Sequence, residues 1–251
     1  AKSLDSQYRI FEEITCDRTR LDDAAKAPAE IARVLASALT HSQPVYIELP
    51  RDMVRVPCEP VVAEAPAAID EDALAACVDE LLARLASAKS PVLMAGIEVR
   101  RFGLEDRVAE LSRRLGLPVV TSFMGRGLLA DADAPLVGTY MGVAGEPELS
   151  RLVESSDGLL LLGEIVCDTN FAVSERKIDL RRTIQALDGQ VKMGYHVYPD
   201  IPLAALVDRL LARVPATGRH FDVRRAAFPR GMPADDATIA PNDIATAIND
   251  L

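Results

Sequence analysis

The chain has 251 residues, 49% of them hydrophobic and 26% charged, with no tryptophan and 4% aromatics. That length and composition allow one large or two smaller domains around an Ala/Leu/Val core, and argue against a disordered chain. A formal net charge of −10 and a pI of about 4.9 argue against nucleic acid and anionic membrane as partners, because both select basic surfaces.

In chain order, the first helix is expected from Pro28, with Ile31, Val34, Leu35, Ala38 and Leu39 on one face. A strand, Val45–Leu49, follows between Pro44 and Pro50. The 44 residues before it offer no second convincing strand, so its sheet neighbours are expected outside the chain. The strand itself is expected to be poorly ordered, or docked on something else. Residues 55–69, "RVPCEPVVAEAPAAI", hold three prolines and read as a linker.

A regular alternation then begins. A helix is expected over 70–86, with Leu74, Cys77, Val78, Leu81, Leu82 and Leu85 inward, then the strand "PVLMAG" at 91–96. A helix over 104–115 ends at Gly116, with Pro118 two residues on, and leads into the strand "PVVTSF" at 118–123. A short helix at 147–154 precedes "GLLLLG" at 158–163, short strands are expected at 183–187 and 191–193, and a helix runs over 202–214. Apolar strands alternating with helices imply a doubly wound parallel α/β sheet covered on both faces. Residues 215–240 read as a second linker, and "PNDIATAINDL" opens a helix capped near Asn242 or Asp243.

No apolar run reaches the roughly 18–20 residues that cross a bilayer, and residues 1–15 hold no export-type apolar segment, so a cytoplasmic chain is the default. Cys16, Cys58, Cys77 and Cys167 have neither CxxC nor zinc-knuckle spacing, and Cys77 reads as a core residue. His41, His196 and His220 stand apart from one another, which gives no metal-ligand set.

Ligands of open α/β sheets bind at the carboxyl ends of strands. Three such loops are expected here: 95–103, 122–135 and 163–177. The first lacks G-x-G-x-x-G, having only Gly96 and then Gly103 with Arg100 and Arg101 between, and the second has G-x-G without a third glycine. Gly125 and Gly127 read as a tight turn needing positive φ. Arg100 and Arg101 could hold a carboxylate or phosphate, or stand as solvated charges. Asp168, Thr169 and Asn170, with Arg176 beyond, could cap a helix or face a ligand. Glu98 and Glu164 are carboxylates at strand ends that could do acid–base work if they meet. No nucleophile elbow, P-loop or H-E-x-x-H occurs.

The runs "RLDDAAKAPAEIARVLASALTHSQPVYIELPRDMV", "SPVLMAGIEVRR", "GLPVVTSFMGRGLLADADAPLVGTYMGVAG" and "ESSDGLLLLGEIVCDTNFAVS" resemble the thiamine diphosphate-dependent 2-oxo-acid decarboxylases, the pyruvate, indolepyruvate and phenylpyruvate decarboxylase group. The resemblance covers essentially the whole chain and is greatest to the phenylpyruvate/indolepyruvate type. It implies residues 1–58 as the end of a pyrimidine-binding domain, 59–69 as linker and 70–216 as the central domain, which has an FAD/NAD-binding-like fold without nucleotide. It further implies 217–240 as linker and 241–251 as the first helix of a diphosphate-binding domain. The family's "HH", G-D-G and N-N motifs are absent here, and Leu251 stops inside a helical pattern, so the chain is expected to be a fragment. By itself it is expected to be inactive, with no catalytic, cofactor-binding or metal-binding residue.

The parent, by the same resemblance, is a cytoplasmic homo-oligomeric carboxy-lyase, a dimer or tetramer. It uses thiamine diphosphate and magnesium to convert a 2-oxo acid to an aldehyde and carbon dioxide. The resemblance further implies Arg100, Asp168 and Thr169 as residues that gate or sense the substrate carboxylate. The alternative is a stand-alone α/β module that binds a nucleotide or small acid.

Overall fold

The computed structural model describes residues 3–65, 67–130, 132–171, 177–215 and 230–251. They fall into two units, within Ala1–Phe221 and Asp222–Leu251.

The first unit opens with α1 (Ser6–Glu12), β1 (Asp17–Arg20), α2 (Ala27–His41) and β2 (Val45–Glu48). β1 and β2 pair in parallel, Asp17 opposite Val45 and Arg20 opposite Glu48. This corrects the expectation of an unpaired strand: β2 has a neighbour in "DRTR". Of its four residues only Thr19 is fully buried, so the segment has no apolar alternation to announce it. Its charges are partnered instead. The Arg33 guanidinium donates to Asp17, Ser37 Oγ donates to Asp17 Oδ2 at 2.8 Å, and Thr19 Oγ1 donates to Glu30 at 2.9 Å. Arg18 and Arg20 lie 4.7 and 5.0 Å from the Tyr8 ring centroid. Among the described residues each has one buried guanidinium nitrogen without a hydrogen-bond acceptor, and the ring's π face offers these cations an electrostatic partner.

The remainder of the unit is built on a sheet that has seven strands among the described residues. They are β3 (Pro91–Ala95), β4 (Val119–Thr121), β5 (Leu136–Thr139), β6 (Gly158–Leu162), β7 (Ile184–Leu187), β8 (Gln190–Met193) and β9 (His196–Tyr198), in the order β5-β4-β3-β6-β7-β8-β9. The first five are mutually parallel, while β8 and β9 are antiparallel additions joined by tight turns. The sheet is thus parallel through five strands, as expected of a doubly wound α/β sheet, with an antiparallel pair added at one end.

The helices are α3 (Glu71–Ser87), α4 (Ile97–Arg101), α5 (Glu105–Leu115), α6 (Pro147–Glu154), α7 (Asp168–Phe171) and α8 (Leu203–Arg213). Alternate residues of β3 and β6 feed two cores. Leu93, Ala95, Leu160 and Leu162 join α3, α5 and α8 on one face. Val92, Met94, Leu159 and Leu161 join Tyr140, Phe171 and α6 on the other. Both faces of the central strands are therefore covered, which is why these strands read as continuous apolar runs. Cys77 is buried in the first core, and burial pushes its thiol up to about 12.

In the second unit α9 (Pro241–Asp250) has Ala240 as its cap residue, two or three positions before the Asn242 or Asp243 expected there. Asp243 instead accepts from the Ala240 N–H at 2.7 Å, and Asp250 accepts from the amides of Gly231 and Met232.

Candidate functional site

The chain runs outward from β3 to β4 and β5, then returns to place β6 on the other side of β3. Strand order reverses between β3 and β6, and the crevice at the carboxyl ends of that pair is the usual ligand position in such sheets. Here the crevice is filled. Gly96 N–H donates to Leu162 O at 2.9 Å and Glu98 N–H to Gly163 O at 3.1 Å. A β-carbon on Gly96 would lie 2.3 Å from both Glu164 Cα and Gly163 O, and 2.6 Å from Glu164 Oε2. Only glycine lets the two chains approach this closely.

Sequence-predicted Glu98 and Glu164 flank this junction, and each side chain is buried. Glu98 Oε2 accepts from the Asp188 amide at 3.2 Å. Burial raises its pKa, and the amide bond only partly offsets that. Glu164 is 2% exposed, and neither carboxylate oxygen has a hydrogen-bond partner of ordinary geometry among the described residues. Burial pushes it up to about 7, tempered by the nearby Ser122 hydroxyl.

Gly125 packs against the same spot, its missing β-carbon position 2.8 Å from Ala95 O. Of the two turn glycines only Gly127 has positive φ, at 72°; Gly125 is required by close approach instead. Asn170 is buried and ties two rim loops together. Its Oδ1 accepts from Met124 N at 2.9 Å, and its Nδ2 donates to Ile165 O at 2.7 Å. Ser122, set between Thr121 and Phe123, has no sequence mark for this part, and Asn170 reads in sequence only as a cap or ligand-facing residue, not as a tie between two loops.

Arg100 and Asp168 leave the ends of adjacent strands, so both belong to the same rim. Arg100 is exposed on α4, a helix where an irregular loop was expected. Its guanidinium pairs with Glu105 at 3.3 Å and donates to Gly127 O at 3.5 Å. Asp168 and Thr169 are exposed, and Asp168 Oδ1 accepts from Thr169 N at 2.8 Å at the start of α7. Arg176 lies outside the described residues.

These rim residues do not fit a diphosphate or its magnesium. The switch-point crevice is closed by backbone, and its buried charged-type side chains are two acids, which offer an anion no cation to pair with. Among the described residues no group of three or more His, Cys, Asp or Glu could hold a metal ion.

Residues 78–214 match the family described as thiamine pyrophosphate enzyme, central domain. Over 250 residues the chain is 60% identical to the indole-3-pyruvate decarboxylase of Azospirillum brasilense, covering 99% of this chain and 46% of that protein. It is 25% identical to the pyruvate decarboxylase of Hanseniaspora uvarum, covering 94% of this chain and 43% of that protein. It is 29% identical to the pyruvate decarboxylase of Aspergillus parasiticus, covering 96% of this chain and 42% of that protein. The chain thus spans somewhat less than half the length of these relatives.

Proposed function

We propose, for a chain that belongs to the thiamine pyrophosphate enzymes and carries their central domain, that it is the scaffold portion of a 2-oxo-acid decarboxylase of the indolepyruvate/phenylpyruvate type. The observation that carries this reading is the 60% identity to an indole-3-pyruvate decarboxylase across 99% of the chain. The catalytic groups, thiamine diphosphate and magnesium are assigned to the part of the full-length enzyme outside these 251 residues. When bound there, the cofactor supplies the electron sink for loss of carbon dioxide. The rim of this chain, closed at the switch point and lined by buried acids, suits a structural part better than a nucleotide site.

In this reading residues 1–58 complete a pyrimidine-binding domain, 70–216 form the central domain, and 241–251 begin a diphosphate-binding domain. The linkers are 59–69 and 217–240. The parent works in the cytoplasm as a homodimer or homotetramer, and the free cysteines Cys16, Cys58, Cys77 and Cys167 suit a reducing compartment. Arg100, Asp168 and Thr169 gate or sense the 2-oxo-acid carboxylate. Their exposure at the ends of adjacent strands supports that role.

The test is decarboxylation of indolepyruvate and phenylpyruvate by the full-length enzyme with thiamine diphosphate and magnesium. Arg100→Ala is expected to change the shape of the substrate-saturation curve; an unchanged curve removes Arg100 from the gating role. Calorimetry of the 251-residue chain with thiamine diphosphate, NAD and FAD is expected to give no binding. Tight nucleotide binding would replace the scaffold reading with that of a binding module.

A further inference from the structure

A carboxyl group buried on both oxygens normally finds a donor, a cation or a water, because an unpaired buried charge is costly. Among the described residues Glu164 has no cation and no donor of ordinary geometry, with only the Ser122 hydroxyl close by. Its surroundings are the Gly96 backbone, which permits no closer packing, and the Ser122 hydroxyl. The charged side chains on the elements around it are engaged elsewhere. Glu98 on α4 accepts from Asp188 N, while Arg101 on the same helix is exposed. Arg126 on the loop after β4 lies 4.5 Å over the Phe123 ring and donates to Phe123 O. Asp168 on Glu164's own loop binds the Thr169 amide, and Asp188 on the turn after β7 meets His41 at 2.9 Å. Among the described residues no cation is left to receive a Glu164 carboxylate where it stands.

The same residue sits at the root of a loop whose far end, Phe171, is buried in the second core and whose stretch between has few ties. From Gly163 to Phe171 the loop is held to the 122–127 loop by the Asn170 side chain. Gly163 itself is fixed by its N–H to Ala186 O at 2.7 Å and by accepting from Glu98 N. We propose that Glu164 is a proton-controlled latch of the carboxyl-end rim. It stays inside only as the neutral acid, and its ionisation releases the 163–171 loop from the 122–127 loop. The proton goes to bulk water, and the carboxylate follows by swinging out of the apolar junction. The raised titration point agrees with the packing and places the switch in the neutral range. The latch stands on the packing of this rim alone, and holds whichever part Asp168 and Thr169 play with substrate.

The sign follows from linkage. The carboxyl titrates near 4.5 when free and at about 7 when folded. The stabilisation is therefore whole below the free value, and is lost as pH rises through the folded one. Hydrogen-exchange mass spectrometry on the intact chain, expressed as protection factors, reads this directly. In the wild type, protection of peptides covering 122–127 and 163–171 is expected to fall at least about tenfold between mildly acidic and mildly alkaline pH. Peptides from β3 and β6 should stay protected. Glu164→Gln, neutral at every pH, is expected to hold protection constant. Flat wild-type protection, or the same fall in the glutamine variant, would overturn the latch. A second measurement needs no variant. Infrared spectra of the chain with 13C-labelled glutamate are expected to show a buried protonated carboxylic acid band that disappears through neutrality. Absence of that band on the acid side of neutrality, at a pH where free carboxylates are ionised, would equally overturn it.

Discussion

The backbone N–H of Asp188 donates to the buried carboxylate of Glu98 at 3.2 Å, while the Asp188 side chain meets His41 Nδ1 at 2.9 Å. One turn residue thus connects α4 to the end of α2. Glu98→Ala leaves the Asp188 amide without its acceptor and opens a void. It should lower stability by about 2–3 kcal/mol. Glu98→Gln keeps an acceptor of the same shape and should cost under about 1 kcal/mol. Urea unfolding of both variants checks the difference.

Gly96→Ala places a methyl group where Glu164 Cα and Gly163 O each lie 2.3 Å away. Both obstacles are main-chain atoms, so no side chain can turn aside. The loss should be about 3 kcal/mol or more, at the upper end of overpacking costs. A control, Gly127→Ala, meets nothing within 4 Å and is strained only by its φ of +72°. It should cost about 1 kcal/mol. Equal thermal midpoints for the two variants would contradict this account of the switch point.

Asn170→Ala removes both bonds that tie Met124 N to Ile165 O. Global stability should fall by about 1–3 kcal/mol, since two buried groups lose their partners. The local effect is more diagnostic: amide exchange should quicken at Met124 while the amides of β6 stay slow. Uniform acceleration would mean that Asn170 supports the whole fold and not the junction of two loops.

Burial alone would raise the Asp17 carboxyl, but hydrogen bonds from Arg33, Ser37 and the Arg18 amide outweigh it and lower its pKa. A depressed carboxyl gives stability that is present above its free value of 3.8 and is lost as pH falls through the folded one. Asp17→Asn should therefore lower the urea midpoint at neutral pH. At pH values below the folded titration the variant and the wild type should converge. A constant gap at all pH values would assign the effect of Asn to packing.

The central sheet was legible because its strands are buried on both faces. "PVLMA" and "GLLLL" have no polar residue to confuse the reading, and Gly116 with Pro118 ends a helix by known stop chemistry. The missed pieces share a different physics. "DRTR" is a strand because ion pairs and a tyrosine face absorb its charges, and those partners come from residues distant in sequence. The helix at "IEVRR" is one turn with two arginines outward, too short for any periodicity to register. At the site, the types and positions of Glu98, Glu164 and Asp168 were visible. The distinction between them was not. Glu98 receives an amide, Glu164 lies beside the Ser122 hydroxyl with no bond of ordinary geometry among the described residues, and Asp168 caps its own turn; the first two depend on what the neighbouring strands bring alongside.

The antiparallel strands β8 and β9 have a consequence for how the molecule assembles. β7, β8 and β9 are joined by tight turns within residues 184–198, so their pairing closes only short loops. The central pair joins Pro91 to Gly158, across β4, β5 and two layers of helix. Loop-closure entropy grows with the intervening length, and long-range parallel pairing is the slow event in folding. The meander can therefore form early as a local template, with β7 presenting an edge on which β6 docks. Closure of β6 onto β3 comes late, and it brings Glu98 and Glu164 out of water in the same step. If that closure sets the rate of folding, the barrier of this domain and the burial of its two acids are one event, and Glu98 and Glu164 variants would shift the folding rate together.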